Sequence, residues 1–239
     1  FVKSLQIQDL KPHISGKPVV LVSPGPSLLK NINLLKDLED NIIIVAVAQS
    51  VPALLKHSIQ PDYVVAIDPI NYSSILDGLN YQKTSGIFID TVHGDFFNKP
   101  FKNIYTGCNV HTPKNLLKVL DWNTTDLVGS SVSVFSFNLL AHLEASAVAL
   151  VGQDLATSEG SYYVGDGMNP LGTAPEDLLK SARPSDWELA GYNGGVVPTR
   201  ADYFIYHSEF VESVKKLKMR AQKIELYNCT EGGAFIKGF

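Results

Sequence analysis

The sequence is poor in the residues that build disulfide frameworks and metal centres. Its 239 residues hold two cysteines, Cys108 and Cys229, far apart and in neither a CxxC pair nor a histidine-rich stretch. Isolated reduced thiols are therefore expected, and a disulfide-stapled scaffold is excluded. No pair of histidines, cysteines or carboxylates has metal-ligand spacing, so no bound metal and no resident cofactor are expected. A GxSxG elbow is missing, which disfavours a Ser-His-Asp hydrolase. Positive charge is short as well: 20 Lys and Arg stand against 24 acidic residues, a net charge of -4. Duplex DNA is thereby disfavoured as a partner, because such affinity rests on clustered cations. No apolar run reaches the roughly 20 residues needed to span a bilayer, and no secretory signal pattern is present. The cytosol is the expected compartment.

What is abundant is apolar sequence, at 45% of residues, enough to bury a full core in one domain over residues 1–239. Short β-branched runs recur: Val19–Val22, Ile42–Val47, Tyr63–Ile67, Gly86–Ile89, a weaker Asn103–Tyr105, Ala147–Val151 and Lys223–Tyr227. They are continuous rather than alternating, as strands buried on both faces must be. Helical patterns fall between them at Leu28–Leu38, Val51–Lys56, Pro113–Leu120, Val132–Leu143 and Asp202–Met219. Strand–helix alternation predicts an α/β fold: a Rossmann-like, mostly parallel sheet with helices on both faces. The stretch Ala156–Thr199, rich in Gly, Pro, Ser, Asp and Tyr, breaks this rhythm and reads as a long lid-like insertion.

In such a sheet, ligands bind where strands hand over to helices, at the carboxyl edge. That rule selects candidates. Ser23-Pro24-Gly25-Pro26-Ser27 leaves the first strand: Gly25 permits close backbone approach, and Ser27 can cap the next helix or touch a phosphate. The flanking prolines have no N–H, so this is neither a GxGxxG turn nor a P-loop. Gln49 emerges after the second strand as a base or ribose contact, with Ser50 a cap for the following helix. Asp68 closes the third strand and can bind ribose or metal, or cap the turn at Asn71. Ser130 and Ser131 open a very apolar helix, where hydroxyls beside free N–H groups suit an anion. Gln153 and Asp154 leave the sixth run at the same edge. Tyr162 and Tyr163, in glycine-rich surroundings, can donate to phosphate oxygens without carrying charge. His207 shares a 4-3-4-3 stripe with Tyr203, Phe210, Val214 and Leu217 and lies about one and a half turns into its helix, as a general base near the site would. His93 is a weaker loop candidate, and His142, at the far end of its helix, reads as structural.

Taken together, these segments resemble the central domain of the motility-associated factor (Maf) flagellin glycosylation proteins. The resemblance is carried by Gly25-Pro26-Ser27-Leu28, by Ile59-Gln60-Pro61-Asp62-Tyr63-Val64-Val65 with Asp68-Pro69, by Gly152-Gln153-Asp154-Leu155-Ala156, and by Tyr227-Asn228-Cys229-Thr230-Glu231-Gly232-Gly233-Ala234. That domain in turn is similar to bacterial CMP-sialic acid transferases. The resemblance implies transfer of a nonulosonic acid, of pseudaminic or legionaminic type, from a CMP-sugar donor to Ser or Thr of flagellin. Gly25, Pro26, Ser27, Gln49, Ser130, Ser131 and a tyrosine of the Tyr162-Tyr163 pair would then hold the donor, and His207 would be the catalytic base. A pterin pyrophosphokinase group also shares the Gly-Pro-Ser region and would use ATP and Mg²⁺. That chemistry needs carboxylates, and Asp68 has no second acid within three residues. A third alternative is a non-catalytic domain that only binds nucleotide sugar or flagellin.

Overall fold

The computed structural model describes residues 4–38, 41–108, 129–157, 187–220 and 223–239, together with Asn115. The strands are β1 (Leu5–Gln6), β2 (Pro18–Val22), β3 (Ile43–Val47), β4 (Tyr63–Ala66), β5 (Ser85–Ile89), β6 (Ile104–Gly107), β7 (Ala147–Val151), β8 (Trp187–Ala190), β9 (Val196–Thr199) and β10 (Glu225–Asn228). Eight of them form one sheet in the order β1-β6-β5-β4-β3-β2-β7-β10, and every pairing in it is parallel.

Alternate residues of each central strand feed two separate cores. Val19, Leu21, Val45, Val47, Val65, Val148 and Leu150 belong to one; Val20, Val22, Ile44, Ala46, Val64, Ala66 and Val151 belong to the other. A parallel strand covered on both sides must be apolar at every position, which is why these runs read as continuous.

Helices cover each face. On the second face, α2 (Leu28–Lys36) buries Leu28, Asn31, Ile32 and Leu35, the i, i+3, i+4, i+7 stripe of a surface helix. Beside it α3 (Val51–Lys56) buries Val51 and Leu54. The first face takes the short α1 (Lys11–Ile14), the long α5 (Ala201–Met219) and α4 (Val132–His142). Helix α4 touches β2, β3 and β4 on one side and α5 on the other, so nearly all of its residues through Ala141 are buried. Its largely apolar sequence follows from that double cover.

The expected Rossmann-like architecture is thus present. Strand β1, only two residues long at the sheet edge, leaves no pattern for sequence reading to detect. The expected helix at Pro113–Leu120 lies almost wholly outside the described residues, as do residues 158–186 of the expected lid. What is described of that stretch is an antiparallel hairpin of β8 and β9. It is tied to the main body where Thr199 Oγ1 donates to the Leu155 carbonyl at 2.7 Å and Thr157 N–H to the Pro198 carbonyl at 3.0 Å. Neither Cys108 nor Cys229 is in a disulfide, and burial pushes the Cys108 thiol up to about 11.

Candidate functional site

The chain leaves β2 toward β3 on one side, while β7 flanks β2 on the other. The chain therefore leaves these strands in opposite directions along the sheet, and the loops after β2 and β7 lie side by side at the topological switch point, where open α/β sheets form a crevice. A cavity of about 260 Å³ occupies it. Its floor is Ser23, Pro24 and Gly25 after β2 and Gly152, Gln153, Asp154 and Leu155 after β7. Gln49 and Asp68 enter from β3 and β4. The remaining wall comes from Ser130, Ser131, Val132 and Ser133 at the start of α4, and from Arg200, Asp202, Tyr203 and Tyr206 around the start of α5. Gly25, Gln49, Asp68, Ser130, Ser131, Gln153 and Asp154, chosen from sequence at seven separate positions, share this one space.

Several roles differ from those the sequence suggested. Gly25 is glycine because the two floor loops meet there: a Cβ would stand 2.4 Å from the Gly152 carbonyl oxygen and 2.6 Å from Asp154 Oδ1. Gly25 N–H donates to that same Gly152 carbonyl at 2.8 Å. The residue thus joins the two floor loops while it also lines the cavity. Ser27 stands at the N-cap position of α2 but makes no side-chain capping bond, and it does not line the cavity. It is 3% exposed, its backbone N–H donates to Asp154 Oδ2 at 2.9 Å, and its hydroxyl donates to Asp154 Oδ1. Pro26 is also absent from the cavity wall. Ser50 does not cap α3 with its side chain; its hydroxyl donates to the Val47 carbonyl at 2.7 Å and lies 3.2 Å from that of Val22.

Asp154 is the hub of the floor. It is 3% exposed, and burial raises its carboxyl pKa, with the two Ser27 hydrogen bonds and the Lys30 charge opposing the rise. Its backbone carbonyl accepts from Ala234 N–H at 2.7 Å. The preceding Gly233, at φ +66°, passes so close that a Cβ would lie 2.2 Å from that carbonyl oxygen. The Thr230-Glu231-Gly232-Gly233 segment is thus a brace for the β7 loop. Ser23, at 2% exposed, donates its hydroxyl to Gln153 Oε1 at 2.6 Å.

At the start of α4, Ser131 is the true cap, its hydroxyl accepting from Val134 N–H at 3.2 Å and lying 3.2 Å from the Ser133 hydroxyl. Ser130 lines the cavity but is engaged from behind: Glu209 of α5 accepts its N–H at 3.0 Å and its hydroxyl at 2.5 Å. On the opposite side Tyr72 donates its hydroxyl to Asp68 Oδ2 at 2.9 Å. His93 lies beyond: its N–H donates to the Asp68 carbonyl at 3.1 Å, and its Nδ1 accepts from Asp95 N–H at 3.2 Å.

His207 is half-buried and is not part of the cavity wall. Its Nε2 is 2.8 Å from the Phe235 carbonyl oxygen, to which it donates, leaving Nδ1 as the basic nitrogen. Tyr162 and Tyr163 lie outside the described residues.

Sequence reading missed the α5 end of the wall. Arg200 Nε donates to Asp202 Oδ1 at 2.5 Å and Nη2 to Oδ2. The guanidinium carbon sits 4.4 Å from the centre of the Tyr203 ring, and the Tyr203 and Tyr206 rings are 6.1 Å apart. The signal was available: Tyr203 shares a stripe with His207, and Arg200 stands where that helix begins at the ligand edge. The acids Asp154 and Asp202 also join Asp68 around one cavity from far along the chain, a gathering that local spacing cannot reveal. Among the described residues no three His, Cys, Asp or Glu side chains form a metal-holding group.

Fold and site define a doubly wound α/β domain with a polar cavity at its switch point. The chain belongs to the 6-hydroxymethylpterin diphosphokinase MptE-like family, whose model matches residues 1–160. Among curated proteins it is similar to the 6-hydroxymethyl-7,8-dihydropterin pyrophosphokinase of Methanocaldococcus jannaschii, at 30% identity over 128 residues. That match covers 47% of this chain and 49% of the relative, so it spans about half the relative's length. Among solved structures the chain is similar to a MAf glycosyltransferase from Magnetospirillum magneticum AMB-1, with a TM-score of 0.73 at 17% identity. This likeness is one of fold; it covers 94% of the present chain and 33% of the other.

Proposed function

We propose that this chain is the donor-binding domain of a glycosyltransferase, moving a nonulosonic acid from a CMP donor to a Ser or Thr hydroxyl of flagellin. The observation that carries this reading is the make-up of the cavity. Hydroxyls and amides from Ser131, Ser133, Gln49 and Gln153 line it at the start of an eleven-residue helix, while Asp154 and Asp202 are each occupied by donors of their own chain. Neutral donors and a helix N-terminus suit a nucleotide phosphate that must accept charge as its bond to the sugar breaks. The fold likeness to a MAf glycosyltransferase, which extends well past residue 160, supports it further.

In the proposed step the acceptor oxygen forms a bond to the anomeric carbon. The bond from that carbon to the phosphate oxygen breaks, and CMP leaves as the anion. The acceptor proton goes to a base. Asp68 fits this role: it lines the cavity, and the Tyr72 hydroxyl holds one carboxylate oxygen while the other remains for the acceptor. His207 is the alternative base, acting through Nδ1.

A second reading is favoured by the family model and the curated relative: transfer of pyrophosphate from ATP to the hydroxymethyl group of a pterin. The acids at the cavity support it too: Asp68 and Asp202 border it, with the Asp154 carboxyl beneath its floor and the Arg200 guanidinium beside Asp202, and a divalent cation would offset that negative charge. Mg²⁺ is commonly held by one or two carboxylates plus substrate phosphates. Asp68, with one oxygen uncommitted, would hold it, and the ion would neutralise phosphate charge.

Product analysis separates the two. The protein is incubated with CMP-nonulosonic acid and flagellin in one arm, and with ATP, Mg²⁺ and 6-hydroxymethyl-7,8-dihydropterin in the other. The proposal expects CMP and glycosylated flagellin; AMP and a pterin diphosphate would establish the second reading instead. Binding of CMP without turnover in either arm would mark a non-catalytic domain. In the active arm Asp68→Asn should lower turnover by roughly 10²–10⁴, the usual worth of a positioned base. The same loss in His207→Asn with Asp68→Asn unaffected would move the base to His207.

A further inference from the structure

We infer that Gln153 is a polarity-fixed hydrogen-bond donor for the nucleotide phosphate, and that Ser23 fixes it. The inference deepens the donor-site reading above and rests on it. Gln153 is 5% exposed and Ser23 2%, and both border the cavity. A primary amide can present either an acceptor or two donors to a ligand, and its neighbours decide which. Here the Ser23 hydroxyl donates to Oε1 at 2.6 Å. The carbonyl end of Gln153 is thereby committed inward, and the Nε2 end is what remains. Among the described residues Nε2 has no hydrogen-bond partner, yet it is not among the sealed, unsatisfied polar atoms. It therefore opens on the cavity. A rotated amide would instead donate from Nε2 to Ser23 Oγ and leave the Ser23 O–H without the acceptor it has here.

An open donor in a site that a ligand will fill must be met by an acceptor, or the complex bears the desolvation penalty of an unpaired N–H. Phosphate oxygens only accept, and the phosphate is the anionic group that CMP and ATP share. Gln153 stands between Gly152 and Asp154 at the switch point, where phosphates of nucleotides lie in open α/β sheets. Its neutral amide also suits a floor that already contains the Asp154 carboxyl.

The test is calorimetric titration of CMP, with ATP and Mg²⁺ in a parallel series, into five proteins. These are wild type, Gln153→Leu, Gln153→Glu, Ser23→Ala and the double variant Ser23→Ala/Gln153→Leu, with far-UV spectra and melting curves recorded for each. Gln153→Leu removes the donor at similar volume and should weaken nucleotide binding about ten- to a hundredfold, the range for one hydrogen bond to a charged group. Gln153→Glu keeps an acceptor for Ser23 but turns a carboxylate toward the phosphate, and it should weaken binding further than Leu. Ser23→Ala should cause a smaller loss, absent when added to Gln153→Leu, since the serine acts only through the amide. Equal losses in Gln153→Leu and Gln153→Glu would overturn the phosphate assignment. Unchanged affinity in folded Gln153→Leu would overturn the inference while leaving the donor site standing. Wild-type protein that binds neither nucleotide would instead overturn the donor-site reading, and the inference with it.

Discussion

At the residue scale, the site turns on a carboxyl placed under the floor of the cavity rather than in it. Burial raises the Asp154 pKa even though Ser27 offers it two donors, so the native state holds the proton more tightly than the unfolded chain does. Between the ordinary aspartate value of about 3.9 and the raised native one, the folded protein carries more protons. Stability contributed by this group is complete below that window and is lost as pH rises through it. Asp154→Asn keeps an acceptor for Ser27 and removes the titration. Urea unfolding from pH 3.5 to pH 7 should show the stability of the variant gaining on wild type as pH rises, then running parallel to it. Profiles that stay parallel throughout would show that Asp154 ionises in the folded protein as freely as in the unfolded chain.

The same residues show where reading the sequence succeeds and where it stops. That Gln153 and Asp154 border the cavity was legible because they directly follow a strand end. Their partners Ser23 and Ser27 lie 130 and 127 positions away, so the hydrogen bonds that set their roles left no trace in local spacing. Gly25 was legible as a required glycine; its reason, the Gly152 carbonyl, was not.

At the element scale, two helices of the first face meet at the site and are joined by one carboxylate. Glu209 of α5 accepts both the N–H and the hydroxyl of Ser130 just before α4, placing negative charge at a helix N-terminus, where it is favourable. Glu209→Ala should cost about 1 kcal/mol, as loss of a capping interaction does, and lower the melting temperature by about 2–4 °C. An unchanged melting curve would mean that water replaces the carboxylate without loss. Helix α4 itself was legible from its apolar run and paired serines, although which serine caps it was not, because Ser130 and Ser131 differ only in how α5 approaches. The stripe of α5 was also legible: Phe210, Val214 and Leu217 are buried as the 4-3-4-3 spacing requires. His207 sits on that stripe, but one turn nearer the helix start, where burial is incomplete, and its Nε2–H donates to the Phe235 carbonyl.

At the scale of the whole molecule, the sheet decides where chemistry can happen. Continuous apolar strands announced burial on both faces, and the two cores show why. The strand order was not legible, since several orders satisfy the same alternation of strands and helices. Yet the order is what sets β7 beside β2, draws the two floor loops together and brings acids from positions 68, 154 and 202 around one cavity. Sequence order alone left Asp68 without acidic company; the fold supplies it. For that reason the pyrophosphate-transfer reading gains weight once the sheet is assembled, and the product analysis above is needed to decide between the two chemistries.

Both chemistries require the nucleotide phosphate to lie at the same switch point, and that requirement is the centre of the account. X-ray diffraction from crystals soaked with CMP, and separately with ATP and Mg²⁺, tests it most directly. The account predicts difference density for a phosphate within hydrogen-bond distance of Gln153 Nε2, between the loops after β2 and β7 and facing the start of α4. A nucleotide bound in full elsewhere on the protein, with this cavity holding only solvent, would contradict it.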